Sequence, residues 1–296
     1  MKNIFVLGSI NTDLVINAPY MPKSGETLTG GAFNVAFGGK GANQAVACSK
    51  LGAPVYMAGA VGNDDFGKQM LDNLKNVGIN VDAVRVINGV NSGVAVITVI
   101  DGDNRIILSR GANGLVSLDD VDNLLKSAKA GDIFVTQLEI PLQTVGYALK
   151  KAKSLGLTTI LNPAPADKGC IDFLGDVDII TPNESELYLL SNETDIKLGA
   201  KKLPCPQVIV TLGGKGYYYQ DSVKDFFGQA IKIKPVDTTA AGDTFLGALC
   251  YKLSLGQDVA SSLKFSSKCA SIACLKHGAQ PSIPTLQEVE DYVETY

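Results

Sequence analysis

From about Gly38 onward, short apolar runs alternate with stretches whose apolar residues recur every three or four positions. The runs read as strands buried on both faces, the stretches as helices. Ile4–Leu7, a run of the same kind, stands ahead of them. Residues 43–51 have helical spacing, and residues 55–60 return to strand. Phe66, Met70, Leu71 and Leu74 mark one side of a helix over 66–77, which Gly78 ends. Ser117-Leu-Asp-Asp120 has the form of a capping box ahead of a helix over 121–128. The series continues through a strand at 133–137, a helix at 144–155, strands at 158–161 and 177–180, a helix at 185–190 and a strand at 208–211. Such β-α-β alternation predicts a doubly wound sheet with right-handed crossovers.

Two stretches break the rhythm. Residues 11–38 alternate apolar and polar positions without a helix, through Leu14, Ile16, Phe33, Val35 and Phe37. Residues 93–109 read as two strands folded about an Asp101-Gly102 turn. Together they predict a small separate sheet with one apolar face, which must cover either the main body's cleft or a second copy of itself. It reads as a lid.

Composition narrows the chemistry. The 296 residues carry 26 Lys and Arg against 30 Asp and Glu, a net charge of −4, with 46% hydrophobic and 19% charged residues. That is ordinary globular composition, long enough for one large α/β domain or two smaller ones. Arg85, Arg105 and Arg110 are the only arginines, so the basic stripe that nucleic acid requires is missing. A single histidine, His277 beside Gly278, excludes a multi-histidine zinc site and suits a Ser-His-Asp triad poorly. Cys48, Cys170, Cys205, Cys250, Cys269 and Cys274 form no C-x-x-C pair, and most read as small core hydrophobes. No apolar stretch approaches the ~18–20 residues that span a bilayer, and Ile4–Leu7 is too short for a signal-peptide core. The expectation is a cytoplasmic protein with neither a membrane nor a nucleic-acid partner.

Four segments carry candidate chemistry. In Val236-Asp-Thr-Thr-Ala-Ala-Gly-Asp243, the small residues Ala240, Ala241 and Gly242 precede a helix that starts near Asp243. Backbone amides at such a helix start make an anion site. Asp243 is then either an N-cap or a base that takes a proton from a hydroxyl nucleophile during phosphoryl transfer. The small residues tip the balance toward the base. Gly38-Gly-Lys-Gly-Ala-Asn43 places three glycines beside a helix beginning around Ala42. It is not a Walker A loop, because Gly41 follows the Gly-Lys pair, and the loop after the first strand is no dinucleotide fingerprint either. Asn11, Asp13 and Asn43 are either turn formers or partners for sugar hydroxyls. Asn183 and Glu186 have capping-box spacing, or Glu186 reaches Mg²⁺ through water. Thr211-Leu-Gly-Gly-Lys-Gly216 is either a hairpin turn or a bed for nucleotide phosphates. Several such segments at strand C-termini describe a cleft.

Gly8-Ser-Ile-Asn-Thr-Asp13, Phe37-Gly-Gly-Lys-Gly-Ala-Asn-Gln44, Gln137-Leu-Glu139, Asn162-Pro-Ala-Pro165, Thr181-Pro-Asn-Glu184, Asp237-Thr-Thr-Ala-Ala-Gly-Asp243 and Gly278-Ala-Gln-Pro-Ser282 carry a further signal. Through them the chain resembles, nearly end to end, the phosphofructokinase-B-type carbohydrate kinase family. The resemblance implies one α/β domain over 1–296, a three-layer α/β/α sandwich with a mainly parallel sheet plus a small β-sheet lid. The lid is the pair of inserted segments, about 11–38 and 93–109, and in the family it also clasps a second subunit as a homodimer. The activity implied is ATP-dependent phosphorylation of D-ribose at O5. Asp243 corresponds to the base, and Ala240, Ala241 and Gly242 to the anion hole. Asn11, Thr12, Asp13, Gly39, Lys40, Gly41, Ala42, Asn43 and Glu139 correspond to the sugar-holding set. Asn183, Thr211, Leu212, Gly213, Gly214, Lys215, Gly216, Gly242 and Ser267 correspond to ATP contacts, with Glu186 near Mg²⁺. Asp237, Thr239, Ala273, Lys276, Gly278 and Ser282 correspond to an activating K⁺ loop that binds largely through backbone oxygens. Ser267 stands where relatives often carry His or Asn, and Thr239 and Lys276 also depart from the best-known pattern. The segment 198–206 looks short, which trims a peripheral helix.

Two rivals remain at this stage. One is a kinase of the same family for 2-deoxyribose, another sugar or a nucleoside. The other is a sugar-binding protein without catalysis, against which the intact Asp243 and Gly242 speak.

Overall fold

The structure is a computed structural model and describes residues 1–101 and 103–293. The first half runs β1 (Ile4–Leu7), β2 (Asn11–Asn17), β3 (Phe33–Gly38), α1 (Lys40–Lys50), β4 (Val55–Gly62), α2 (Asp65–Asn76), β5 (Asn80–Ile87), β6 (Gly93–Ile100) and β7 (Asp103–Ser109). A 3₁₀ turn at Gly111–Leu115 leads to α3 (Leu118–Leu125), β8 (Ile133–Thr136), α4 (Leu142–Ser154) and β9 (Thr158–Leu161). Then come β10 (Ile179–Ile180), α5 (Glu184–Ser191), α6 (Ile196–Lys202), β11 (Gln207–Thr211), β12 (Tyr217–Gln220) and β13 (Asp225–Gly228). Helices α7 (Ala241–Ser254), α8 (Val259–Ala273) and α9 (Leu286–Asp291) close the chain.

Nine strands form one sheet in the order β13-β12-β11-β10-β9-β8-β1-β4-β5. It is parallel from β5 to β11, and β12 and β13 extend it antiparallel. Alternation along the strands explains why both faces are apolar. Ile4 and Val6 of β1 join one buried cluster with side chains of α1, α2, α7, α8 and α9. Phe5 and Leu7 join a second with side chains of α3 to α6. A sheet buried on both faces between two helical layers is the expected three-layer sandwich.

Both rhythm-breaking segments form a second sheet, in the order β3-β2-β6-β7. The β6–β7 hairpin turns where expected, with Asp101 in left-handed backbone at φ 52°. Gly102, the second residue of the expected turn, lies outside the described residues. Val35, Leu14, Val96 and Ile107 stand in register across the four strands. Val35, Val96 and Ile107 of this row are exposed, so one face of this sheet carries an apolar stripe.

Several boundaries differ from the expectation. Helix α1 begins at Lys40, ahead of the expected 42–43, because Gly39 turns the chain at φ 88° and no side chain marks the start. The Ser117/Asp120 capping box exists, but α3 follows Ser117 directly and ends at Leu125 rather than filling 121–128. Strand β10 shrinks to Ile179–Ile180, since Val177 still belongs to the exit of the 3₁₀ segment Lys168–Asp176. Helix α6 in the short segment is seven residues long. All six cysteines are free; five are buried and Cys205 is half-buried, in keeping with core packing.

Candidate active site

Asp243 is the third residue of α7 and is buried. Its Oδ2 accepts a hydrogen bond from Asn43 Nδ2 at 3.0 Å. Its Oδ1 accepts one from Gln44 Nε2 at 2.9 Å. The first turn of α1 thus holds the carboxylate on the first turn of α7.

Among the described residues no side chain caps α7, and its N-cap Ala240 stands in left-handed backbone at φ 59°. For a residue with a Cβ this conformation costs roughly 1–2 kcal/mol. The first amides of a helix lack intrahelical acceptors. That of Ala241 turns to the Thr238 carbonyl at 3.2 Å, which leaves those of Gly242 and Asp243. A Cβ on Gly242 would meet nothing within 4 Å, so space above this helix start is open. A cavity of about 230 Å³ lies there, lined by Ala240 to Asp243 together with Lys40, Asn162, Asn183, Glu186 and Thr211.

The charges around the cavity are coupled. Burial pulls the Lys40 ammonium down, but Asp243, Glu139 and Glu186 outweigh it and hold the pKa above the ordinary lysine value. Lys40 therefore stays cationic. Burial, with Glu139 and Asp243 adding like charge, pushes Asp13 up to about 7. Gly38 leaves room for Asp13, since a Cβ there would stand 2.2 Å from Asp13 Oδ2. Glu186 is raised mainly by burial, against the Asn183 amide and Lys40.

Asn11, Thr12 and Asp13 open β2 of the second sheet and are buried. Asn11 Oδ1 accepts from Asn113 Nδ2 at 2.7 Å. Asn113 in turn bonds both backbone groups of Ile10, its Oδ1 taking the amide at 2.9 Å and its Nδ2 reaching the carbonyl at 3.0 Å. Thr12 Oγ1 and Asn43 Oδ1 are buried without a hydrogen-bond partner among the described residues. Glu139 Oε2 accepts from Ser9 Oγ at 2.5 Å and from the Lys40 amide at 3.1 Å, which satisfies the start of α1 from a distant loop. Gly41 lies so close to Gly8 that a Cβ would stand 2.6 Å from the Gly8 carbonyl carbon, and Ala42 is buried beside it.

Asn183 and Glu186 do form the capping box of α5, with both Glu186 oxygens engaged by Asn183. Glu186 is nevertheless among the residues that line the cavity. Thr211 bridges to Asn183 at the end of β11, and Leu212 to Gly216 form the tight turn into β12. That turn is a 3₁₀ turn whose Gly213, Gly214 and Lys215 are exposed. Ser267 is buried in α8 and is not among the residues lining the cavity.

Asp237 ties the C-terminal loop to the α7 entrance. Its Oδ1 accepts from the Thr239 amide at 2.9 Å and from Thr239 Oγ1 at 2.6 Å, and its Oδ2 from the Gly278 amide at 2.9 Å. Ala273 ends α8, and the fully buried Ser282 donates to the Ala279 carbonyl at 2.8 Å. The Lys276 ammonium points to Glu288 at 2.5 Å, which leaves only its backbone for the loop.

The structure thus brings Asp243, its helix start, Lys40, Asn43, Asn183, Thr211 and Glu186 together. Sequence reasoning missed Gln44, Gln137, Asn162 and Asn113 as site-builders. Gln44 directly follows Asn43 in the quoted motif and carried a signal; Asn113 carried none.

A model of the pfkB family carbohydrate kinases matches residues 1–286. The chain belongs to that family. A ribokinase of Schizosaccharomyces pombe is 42% identical over 98% of this chain and 97% of its own. A deoxyribokinase of Salmonella typhi is 35% identical over 98% of both. Among solved structures, the ribokinase of Arabidopsis thaliana complexed with ribose and ATP superimposes with a TM-score of 0.88 at 32% identity. That match covers 98% of this chain and 97% of the other. The protein is therefore a carbohydrate kinase of ribokinase-like fold.

Proposed function

We propose that this kinase phosphorylates D-ribose at O5 with ATP, giving ribose 5-phosphate and ADP. One observation carries the reading: an uncapped helix start and a buried carboxylate share one small cavity with a cationic lysine. In-line phosphoryl transfer needs these three parts, a base for the hydroxyl proton, donors for the phosphoryl charge and a counter-charge. Asp243 takes the O5 proton. The Gly242 and Asp243 amides and Lys40 hold the charge that develops on the transferring group. Asn11, Thr12, Asp13 and Asn43, with the backbone of Gly39 to Ala42 and with Glu139, hold the sugar; the unpartnered Thr12 Oγ1 and Asn43 Oδ1 supply free positions for its hydroxyls. Asn183 and residues 211–216 hold the nucleotide, with Ser267 on the adenine side.

Among the described residues no cluster of three or more His, Cys, Asp or Glu could cage a metal. The donor set fits a Mg²⁺ that arrives on ATP and keeps most of its water, with Glu186 as the nearest carboxylate. Bound there, it would neutralise phosphate charge. The oxygen-only loop of Asp237, Thr239, Ala273, Lys276, Gly278 and Ser282 fits K⁺, with Asp237 already pinned between its two halves. The lid's apolar stripe fits a second copy, so the reading includes a homodimer. No helix of the described residues is long and apolar enough to cross a membrane; a cytoplasmic site of action is part of the proposal.

The similarity to a deoxyribokinase supports 2-deoxyribose as the second reading. ADP release measured against ribose, 2-deoxyribose, fructose and adenosine, with and without K⁺, decides between them. The proposal expects the highest kcat/KM with ribose. A preference for any other member of the panel overturns it.

A further inference from the structure

Asp243 does not sit alone beneath the cavity. It ends a buried chain of side-chain amides. Gln137 Nε2 donates to Gln44 Oε1 at 2.6 Å. Gln44 Nε2 then donates to Asp243 Oδ1 at 2.9 Å and to Asn162 Oδ1 at 3.2 Å. Asn162 Nδ2 donates to the Thr181 carbonyl at 3.0 Å. Gln44 and Gln137 are at most 1% exposed, so water does not compete for these bonds.

The sense of the chain follows from charge. A carboxylate only accepts, so the Gln44 NH₂ must face Asp243 and its carbonyl must face away. That carbonyl then requires a donor, and Gln137 supplies it. The far end of the chain is left short of a partner, since Gln137 Oε1 is buried and no donor reaches it among the described residues. A buried orphan of this kind costs about 1–3 kcal/mol. Its place is made by Gly8, where a Cβ would stand 2.0 Å from Gln137 Oε1. An orphan kept at such a cost points to a benefit elsewhere on the chain, and the only charged group on it is Asp243.

We propose that Gln44, locked by Gln137, is a positioning residue that fixes the Asp243 carboxylate so that Oδ2 faces the sugar hydroxyl. This rests on the reading of Asp243 as the base. With Oδ1 held by Gln44, rotation about the carboxyl torsion is arrested. The oxygen that Asn43 shares with the cavity side is then the one that takes the proton. A loose carboxylate loses the near-attack geometry, and a misplacement of about 1 Å costs on the order of 10²-fold in rate.

The test uses the full-length enzyme with Gln44→Met, Gln44→Glu, Gln137→Met, the Gln44→Met/Gln137→Met double variant and Asp243→Asn. Gln44→Met keeps the length of the side chain and removes the donor. Expected are a kcat lower by about 10- to 100-fold, sugar and ATP dissociation constants within about threefold by calorimetry, and an acid limb of the kcat–pH profile displaced to higher pH. The displacement follows because a hydrogen bond to the charged form is gone. Gln44→Glu sets a second carboxylate against Asp243 and moves the limb further in the same direction. Gln137→Met lowers kcat less, and the double variant matches Gln44→Met alone, because both act through one amide. A Gln44→Met enzyme with kcat within twofold of wild type and an unmoved profile overturns the proposal. So does a double variant whose losses multiply. Where Gln44→Met fails to fold, the pH profiles of Gln44→Glu and Gln137→Met decide by the same criteria. Asp243→Asn separates the two readings: if it retains turnover, the base assignment itself falls, whereas a dead Asp243→Asn beside an unaffected Gln44→Met removes the positioning role alone.

Discussion

A Cβ on Gly247 would stand 2.3 Å from the Cβ of Ala47. These two residues sit one helical turn below Asp243 and Asn43, so the contact sets how closely α7 approaches α1 above it. The first prediction follows from this spacing. Gly247→Ala forces the helices apart, an overpacking worth about 1–3 kcal/mol. It also stretches the Asn43 and Gln44 bonds to Asp243. The urea midpoint and kcat should both fall, with sugar affinity changed less. A variant with the wild-type midpoint and kcat contradicts the close approach.

What was legible in the sequence and what was not divide along a physical line. Strand β1 and helices α3 and α5 announce themselves through apolar runs and capping boxes, chemistry that is local in the chain. The two helices that build the site do not. Helix α1 starts at a glycine N-cap, and its Lys40 amide is satisfied by Glu139 from almost a hundred residues away. Helix α7 starts at a left-handed alanine with no side-chain cap among the described residues. A helix start without a capping side chain carries none of the signals by which helix starts are read. The motifs of Asn43 and Asp243 were visible because their residue types are unusual together. Asn113 was invisible because its partners, Ile10 and Asn11, lie far off in sequence and meet it only in the folded protein.

Asn113 supplies the second prediction. Its side chain bonds Ile10 through both backbone groups and orients Asn11 from within the core. Asn113→Ala leaves the buried Ile10 amide unpaired, at about 1–3 kcal/mol. The melting temperature should drop, and KM for the sugar should rise more than KM for ATP. Equal rises in both would place Asn113 outside the sugar half of the site.

The third prediction concerns Asp237. Its carboxylate holds Thr239 and Gly278 together, and against its burial these bonds keep its pKa below the ordinary aspartate range. Asp237→Ala should abolish the difference in kcat between K⁺ and choline while lowering kcat in both. In the wild type, replacing K⁺ by choline should lower kcat. Salt-indifferent wild-type kinetics would falsify the cation loop.

The fourth concerns the lid. Ile107 lies in register with Val96, Leu14 and Val35, and at 72% exposure it is the most open side chain of that row. Ile107→Asp places a charge on the stripe and should shift sedimentation toward monomer. An unchanged sedimentation coefficient at micromolar protein contradicts dimerisation through this face.

Asp13 gives the last prediction, and its sign is fixed by the direction of the shift. Burial and the neighbouring Glu139 and Asp243 raise its pKa from 3.8 to about 7. The folded protein therefore binds this proton more tightly than the unfolded chain. The stability it contributes is full below about 4 and is lost as pH rises through about 7. In the proposed reading an ionised Asp13 accepts from the sugar hydroxyls, whereas a protonated one has lost part of its accepting capacity. The sugar should accordingly bind more weakly as pH falls through about 7, and should raise the melting temperature more at pH 8 than at pH 6. Asp13→Asn removes the titration, so its sugar KM should be high and should not change through that range. The measurement is the sugar KM of both enzymes between roughly pH 5.5 and 8.5, a range that brackets the Asp13 titration. A wild-type KM that stays flat there would mean that the Asp13 proton is not linked to sugar binding.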